Sequence, residues 1–343
     1  MELPSDLVRE VVKYTPWSSR IVSKDFNRFI NEDNERYLKM ILNNETQTPF
    51  FNDQKFISSL PFSNILKSLK IVDCAELVDI KPLAKCTSLI ELDLANSYIK
   101  DIAPLAHCKS LKKLDLSMII DLEISPLAHC TTLTDLNLNE CYWTDDEVPR
   151  GLNSLSKCVS LQKIDISCQH YTFVDIIKPL LQCAQLTHLF ACTIKDMDTL
   201  SRMTSLQCLS FSDIGDDMKP LSKLTALHTL DISNDELIDI TPLTTLQALS
   251  SLTILSESLF NISPLSKLVN LEYLVLYTED LGGIEPLIHC KSLKKLSLSE
   301  CINFIDIQPL IKCDSLEELQ LIACDNIINF DSFMETSIKI EIM

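Results

Sequence analysis

The chain has 343 residues, of which 46% are hydrophobic, and its formal net charge at pH 7 is −18. This charge argues against a nucleic-acid partner, because a phosphate backbone attracts a basic face. No run of about 18 apolar residues occurs, so we expect no membrane-spanning helix. Residues 1–6 have neither the basic nor the apolar region of a signal peptide. We therefore expect a reducing compartment, cytoplasmic or nuclear, in the protein's own cell or in a host cell.

Residues 1–31 predict two short helices that precede any repeat. The first opens at Leu3-Pro4 and is ended by Pro16. The string LPSDLVREVV, followed by WSSRIVSKDFNRFI, resembles an F-box. Its opening matches the family's Leu-Pro-x-(Asp/Glu)-(Leu/Val), and residues 22–30 match its closing helix. The join over residues 15–19 is shorter than usual in that family.

The F-box resemblance implies that a Skp1-type adaptor docks on the N-terminal segment. The apolar residues that would contact this adaptor are Leu3, Pro4, Leu7, Val8, Val11, Ile21 and Val22. The alternative is a plain α-helical cap over the open end of a repeat array, which such arrays require. Residues 32–65 predict a helical linker or cap that carries no chemistry.

From residue 66 onward the chain repeats itself in units of 20 to 28 residues. Each unit opens with an L-x-x-L-x-L segment, which we call the head. Heads begin at Leu66, Leu89, Leu111, Leu133, Leu161, Leu186, Leu206, Leu227, Leu249, Leu271, Leu293 and Leu316. A second pattern, D-I-x-P-L or a variant of it, follows most heads and is clearest at residues 101–105 and 239–243.

Each unit predicts one coil of a solenoid. The head forms a short strand with its leucines pointing inward. The proline begins a helical turn, since it lacks only a donor that would be unpaired there. One coil cannot bury its apolar side alone, so stacking supplies the core. The predicted fold is an α/β repeat solenoid of about 12 coils, residues 66–343, with a parallel sheet on the concave face, short helices or turns on the convex face and a small α-helical N-terminal cap. Alternating residues 337–343 predict a last strand that closes the array.

The D-I-x-P-L pattern followed by the next head resembles the 22-residue leucine-rich repeats of internalins, over roughly residues 63–343. That resemblance implies the fold far more than a function. One departure concerns the third residue after the last head leucine, which is usually asparagine in these repeats. Here it varies, and it is cysteine at Cys74, Cys141, Cys301 and Cys324.

The 14 cysteines follow the repeat. Seven occupy one convex position, namely Cys86, Cys108, Cys130, Cys158, Cys183, Cys290 and Cys313. Other coils place Met or Leu there, so we expect small, buried, reduced thiols. Histidine precedes three of them, at 107, 129 and 289, where other coils carry lysine. Histidine facing water and cysteine facing the core cannot close around one zinc ion, so we expect no metal and no cofactor.

Aromatic residues outside the leucine lattice are the candidates for partner binding. Two long coils bring together Tyr142, Trp143, Tyr171 and Phe173, and a second group lies at Tyr273 and Tyr277. Insertions in solenoids often line the binding side, and interface energy concentrates in aromatic anchors. The alternative is that the long coils fold their aromatic residues onto themselves.

Carboxylates recur between the last two head leucines, as at Asp93, Asp115, Asp165 and Asp231. Paired carboxylates can perform acid–base chemistry, but these come from a repeating position on an open sheet without a pocket. No nucleotide-binding, hydrolase or zinc-protease motif occurs. We therefore expect a solvated, partly self-paired face and no enzyme.

Two functions remain open. In the first, the chain is a substrate receptor of a cullin-type ubiquitin ligase, with residues 1–31 docking the adaptor and the solenoid holding a protein target. In the second, it is a non-enzymatic scaffold or an intracellular effector whose N-terminus is only a cap. In both cases we expect a monomer outside its complex.

Overall fold

The computed structural model describes residues 66–75, 77–143, 150–167, 177–214, 217–303, 305–324, 326–333 and 336–343. The F-box-like segment, the linker and the predicted adaptor contacts (Leu3, Pro4, Leu7, Val8, Val11, Ile21 and Val22) lie outside these ranges, as do Tyr171 and Phe173. Those predictions stay predictions.

Seventeen short strands are present in the described ranges. They are β1 (Ser68–Lys70), β2 (Glu91–Asp93), β3 (Lys113–Asp115), β4 (Asp135–Asn137), β5 (Lys163–Ile166), β6 (His188–Ala191), β7 (Thr193–Ile194), β8 (Cys208–Phe211), β9 (Asp213–Ile214), β10 (Thr229–Ser233), β11 (Ser251–Leu255), β12 (Tyr273–Tyr277), β13 (Lys295–Ser299), β14 (Ile305–Asp306), β15 (Glu318–Ile322), β16 (Ile327–Ile328) and β17 (Lys339–Ile342). Thirteen of them form one parallel sheet in the order β1-β2-β3-β4-β5-β6-β8-β10-β11-β12-β13-β15-β17. The twelve predicted heads and the predicted closing strand are thus confirmed. Two small sheets, β7-β9 and β14-β16, pair the turns that follow the strands.

The opposite side of each coil is a 3-10 turn. These turns are Lys81–Lys85, Ala103–His107, Ser125–His129, Leu152–Lys157, Lys178–Gln182, Lys219–Lys223, Thr241–Thr245, Ser263–Lys267, Glu285–His289, Gln308–Lys312 and Phe330–Phe333. One four-residue α-helix, Met197–Leu200, takes this place in the coil that starts at Leu186. None of the helices in the described ranges has the length and apolarity that crossing a bilayer requires.

The D-I-x-P-L pattern has a local physical cause. Proline occupies one of the first two positions of most 3-10 turns, as predicted. The aspartate caps the turn: Asp79, Asp101 and Asp239 each accept the backbone N–H two residues later, at 2.9, 2.8 and 2.8 Å. Asn261 and Asp306 do the same at 2.9 Å. The pattern thus supplies an acceptor for a donor at the start of each turn.

The core is one continuous column of inward leucines and isoleucines along the stacked coils. In a typical coil, Leu89, Leu92 and Leu94 are at most 2% exposed, and Ile99 and Ile102 close the other side. No single coil surrounds its own apolar residues, so each depends on its two neighbours.

The turn after each strand takes two forms, which the sequence pattern does not distinguish. In coils starting at Leu89, Leu111 and Leu133, the second residue after the last head leucine has a positive φ, and the third (Ser97, Ile119, Cys141) points inward. In coils starting at Leu249 and Leu271, the second residue (Ser256, Thr278) is already fully buried. In the coil starting at Leu249, Ser256 thus takes the inward position, and Glu257, the third residue, is exposed.

Candidate binding surface

The outward side chains of the sheet form rows that cross the coils. The row between the last two head leucines runs in strand register through Lys70, Asp93, Asp115, Asn137, Asp165, Phe190, Ser210, Asp231, Thr253, Val275, Ser297, Gln320 and Glu341. Adjacent members lie one strand spacing apart, about 4.8 Å. Carboxylates are most frequent between Asp93 and Asp165, whereas the stretch from Thr253 to Gln320 is neutral.

The carboxylates of the first coils are largely satisfied within the fold. Lys70 Nζ lies 2.6 Å from Asp93 Oδ2, and Asn137 Nδ2 donates to Asp115 Oδ2 at 2.8 Å. Asp115 Oδ1 also accepts the Ser117 N–H at 2.9 Å. In the same way, Asp165 Oδ1 accepts the Ser167 N–H at 3.0 Å. This row therefore orders the backbone at the strand ends, and the prediction of a partly self-paired face agrees with the geometry.

The apolar part of the concave sheet, which we call the concave patch, lies on β11 and β12. It consists of Leu255, Tyr273, Val275 and Tyr277, with Tyr277 directly opposite Leu255 across the strand pair. Tyr273 is 47% exposed and Leu255 is 37% exposed, whereas Val275 and Tyr277 are half-buried. The predicted tyrosines thus lie together, and two aliphatic side chains that the sequence reasoning missed extend their surface.

Carboxylates surround the hydroxyl end of the concave patch. The Tyr277 hydroxyl donates to Glu300 Oε2 at 3.2 Å. This hydrogen bond, aided by desolvation and the charges of Glu257 and Glu279, holds the pKa of Tyr277 above its ordinary value. The patch therefore combines an apolar body with a negative margin.

Trp143 does not have the exposure that its predicted role as a partner anchor assumes. Its side chain is 3% exposed, and its indole Nε1 donates to the Leu122 carbonyl of the preceding coil at 2.7 Å. A large apolar ring and a satisfied N–H explain this burial. The neighbouring Tyr142 is 39% exposed. Of the residues predicted in this long coil, only Tyr142 therefore lies on the surface in the described ranges.

The cysteines of the convex position are buried, and they form a ladder of weak thiol hydrogen bonds. Cys108 Sγ donates to Leu83 O at 3.4 Å and Cys158 Sγ to Leu127 O at 3.4 Å, each reaching the preceding coil. Burial raises the pKa of Cys108 to about 12. His107, His129 and His289 are exposed beside buried cysteines. Within the described ranges, no group of three side chains could hold a metal ion.

Comparisons with known proteins rest on structure. No family model matches the sequence, and no curated protein matches it. An internalin, InlF of Listeria monocytogenes, matches with a TM-score of 0.64 and 19% identity, covering 91% of this chain and 94% of the internalin. The chain thus has a known architecture over most of its length.

The fold is a leucine-rich-repeat solenoid.

Other solenoids of this class agree with that assignment. The functional domain of InlJ from Listeria monocytogenes, described as including a cysteine ladder, matches with a TM-score of 0.56, 18% identity, and coverage of 82% of this chain and 69% of that one. TLR13, in a complex with single-stranded RNA, matches with a TM-score of 0.54 and 18% identity over 81% of this chain and 49% of its own. At such low identities the likeness establishes the fold alone.

Proposed function

We propose that this leucine-rich-repeat protein is a non-enzymatic binding protein that holds a protein partner on its concave sheet. The observation that carries the proposal is the concave patch: Tyr273, Tyr277, Leu255 and Val275 present one apolar surface on two paired strands. Solenoid sheets use side-chain rows of this kind as extended binding surfaces. Tyrosine is enriched among the residues that carry interface energy, because it buries a large area and keeps a polar end.

The experiment compares two variants of the full chain in cells that express it. Proteins captured by wild type are quantified against those captured by Tyr273→Ser/Tyr277→Ser and by the matched control Asp93→Asn/Asp115→Asn. We expect one set of partners to be lost with the tyrosine variant and retained with the aspartate variant, while the two variants keep the melting temperature of wild type within a few degrees. Equal capture by all three proteins would contradict the proposal.

The N-terminal segment supports a finer proposal. If residues 1–31 bind a Skp1-type adaptor, the chain is a substrate receptor of a cullin-type ubiquitin ligase, and the concave patch holds its substrate. The support is the LPSDLV opening followed by VSKDFNRFI, which resembles an F-box. A plain cap explains the position of this segment but gives no reason for that motif.

A purified Skp1-type adaptor tests the finer proposal directly. The intact chain should bind it, and Pro4→Ala combined with Leu7→Asp should abolish binding while leaving the far-ultraviolet circular dichroism spectrum unchanged. Failure of the intact chain to bind would leave the alternative, a leucine-rich-repeat scaffold or intracellular effector. Deleting residues 1–31 separates the two further, because removing a cap would expose the core and cause aggregation.

A reducing compartment, cytoplasmic or nuclear, belongs to the same proposal. Its support is the burial of the thiols, since 10 of the 13 described cysteines are buried. Native titration with a thiol reagent should label few cysteines and denatured titration nearly all 14. Several disulfides in protein isolated without reductant would overturn this part of the proposal.

A further inference from the structure

Three exposed apolar side chains line the rim of the solenoid in successive coils. Tyr98 is 55% exposed, Ile120 is 44% exposed and Tyr142 is 39% exposed. Each is the fourth residue after the last head leucine of its coil, so the three stack in register. We call them the rim ridge. It spans two coil spacings, roughly 10 Å.

The fold does not require apolar residues at this position. The equivalent residues in other coils are Lys195, Glu236, Ser258 and Asp280, all exposed. Ile302 is apolar there too, at 59% exposure, but it stands alone. Isolated exposed apolar residues are ordinary, whereas a contiguous row of them marks an interaction surface.

The backbone beneath the rim ridge is held in place. Ile120 and Tyr142 form a parallel bridge, and the Asp121 N–H donates to the Tyr142 carbonyl at 2.6 Å. Lys100 Nζ donates to the Ile120 carbonyl at 2.8 Å. Because these contacts fix the spacing of the side chains, a partner would meet a preformed surface and lose little free energy in ordering it.

Around the rim ridge, four carboxylates outnumber Lys100, the cation that contacts the Ile120 carbonyl. Asp73 and Glu140 lie on the same rim, two residues after the last inward residue of their heads. Asp101 and Glu123 form a parallel backbone β-bridge just below. Asp101 and Glu123 are exposed, and each uses one oxygen to cap the next turn. Apolar side chains within a negative field complement a segment that alternates apolar and basic residues.

We propose that the rim ridge docks a segment of a partner protein that presents Leu, Ile or Phe side chains flanked by Lys or Arg. This surface is separate from the concave patch: the ridge belongs to the coils starting at Leu89, Leu111 and Leu133, and the patch to those starting at Leu249 and Leu271. The inference therefore does not depend on the proposed function, because the two surfaces belong to different coils.

A display library of random 12-residue peptides, selected on the full chain, tests this inference. Enriched peptides should carry basic residues next to aliphatic or aromatic ones. Their affinity should fall about tenfold or more for Tyr98→Ser/Ile120→Ser, which is the effect of losing one anchor of about 1.4 kcal/mol. Ile302→Ser is the matched control, since it removes an exposed apolar side chain at the same repeat position, and it should leave affinity within about twofold.

A second variant tests the charge component without touching an apolar side chain. Asp73→Asn/Glu140→Gln should weaken the enriched peptides several-fold at low ionic strength, with the difference shrinking near 1 M salt, where charges are screened within about 3 Å. The inference is overturned if the enriched peptides bind Tyr98→Ser/Ile120→Ser as well as wild type, or if they are acidic. It is also overturned if wild type dimerises and that variant does not, because the occupant would then be a second copy of this chain.

Discussion

The coils starting at Leu89, Leu111 and Leu133, which we call the early coils, share a leucine core with those starting at Leu227, Leu249 and Leu271, the late coils, but differ from them in most of their outward side chains. Early coils present Asp93, Asp115 and Asn137 on the concave row, whereas late coils present Asp231, Thr253 and Val275. On the convex side, the cysteines of the early coils give way to Leu246 and Leu268 in two late coils, and the third late coil keeps a cysteine, Cys290.

The difference shows that the leucine lattice leaves its outer faces free to vary. In the early coils, polar side chains of the concave row bond to the fold itself, as Asp115 does with Asn137 and Ser117. In the late coils, the same surface carries exposed apolar side chains, such as Leu255 and Tyr273, whose exposure the fold does not require. Self-satisfied polar rows therefore stabilise the solenoid, and exposed apolar rows are available to a partner.

The largest expected effect concerns Trp143, whose position is filled by Leu259 and Leu281 in the late coils. Trp143→Ala should lower the free energy of unfolding by about 4 kcal/mol, because a buried aromatic side chain and its hydrogen bond are both lost. Chemical denaturation measures this, with Tyr142→Ala, a change at an exposed residue, as control at about 0.5 kcal/mol. Unchanged stability with lost partner binding would instead make Trp143 an anchor.

The convex thiols should make the early coils sensitive to alkali. Burial raises the pKa of Cys108 to about 12 and of Cys130 to about 11, from an ordinary 9.0. A group whose pKa is raised on folding contributes its full stability below pH 9, and loses it as the pH rises toward the folded values. Replacing both, as Cys108→Ser/Cys130→Ser, should flatten the fall of the unfolding free energy between pH 9 and 11 by about 2 kcal/mol per pH unit.

Serine is the suitable replacement because it keeps a donor toward the Leu83 and Leu105 carbonyls and does not titrate in this range. Denaturation curves at pH 7, 9, 10 and 11 for both proteins give the comparison. A single variant, Leu246→Ser in a late coil, should lower stability equally at every pH. Parallel profiles for wild type and the double cysteine variant would rule out thiol protonation as the cause.

The next largest effect concerns affinity for a partner bound on the concave sheet, which should depend on the late coils more than on the early coils. Tyr273→Ala/Tyr277→Ala should weaken binding by about 2 kcal/mol or more, as truncation of aromatic anchors does. Asp93→Asn/Asp115→Asn should cost about 1 kcal/mol or less, because these carboxylates already bond to the fold itself and asparagine keeps their size. Calorimetric titration of the partner captured by the wild-type chain measures both. The opposite order of effects would move the binding surface to the early coils.

The early polar row should matter more for stability than the late one. Asp115→Ala should lower the free energy of unfolding by about 1 kcal/mol, because Asn137 and the Ser117 N–H lose an acceptor. Thr253→Ala, at the same row position in a late coil, should change it by about 0.5 kcal/mol or less. Equal effects at the two positions would contradict the division between fold-bonded and free rows.

The smallest expected effect is a gain in stability. Met118 has a φ of 60°, which costs a residue with a side chain about 1 kcal/mol. Met118→Gly should therefore raise stability by up to about 1 kcal/mol. Glu257→Gly, in a late-coil turn without a positive φ, is the control and should lower it slightly. A loss of stability in Met118→Gly would indicate that its side chain contributes packing that outweighs the strain.

Period and residue type sufficed to predict much of the architecture. The repeat spacing determined the heads, the prolines of the 3-10 turns, the buried convex cysteines and the closing strand. Because the pattern recurs, the prediction for each coil supports the prediction for the next. The two tyrosines of the concave patch were found as aromatic residues that break the lattice. Leu255 was missed because a single aliphatic residue after a head carries no signal by itself.

The turns could not be predicted, since their conformation depends on contacts between coils. Nothing in Met118 or Glu140 favours a positive φ, yet both adopt it where the N–H reaches the carbonyl of the next coil, as Met118 does with Asn139 at 2.8 Å. The burial of Trp143 likewise depends on the Leu122 carbonyl of its neighbour. The rim ridge was not predicted, because only the structure shows that Tyr98, Ile120 and Tyr142 are exposed together.

The order of the sheet has a consequence for how the molecule opens. Among the described residues, every strand of the large sheet from β2 to β15 bonds only to the strands immediately beside it, and side chains such as Thr134 and Ser250 donate to backbone carbonyls of the preceding coil at 3.1 Å. Coupling is therefore between nearest neighbours, so amide hydrogen exchange should be slow in the middle of the array and fast toward its ends. A partner that spans β11 and β12 would act as a splint, slowing exchange in the coils it touches and, with decreasing strength, in those next to them.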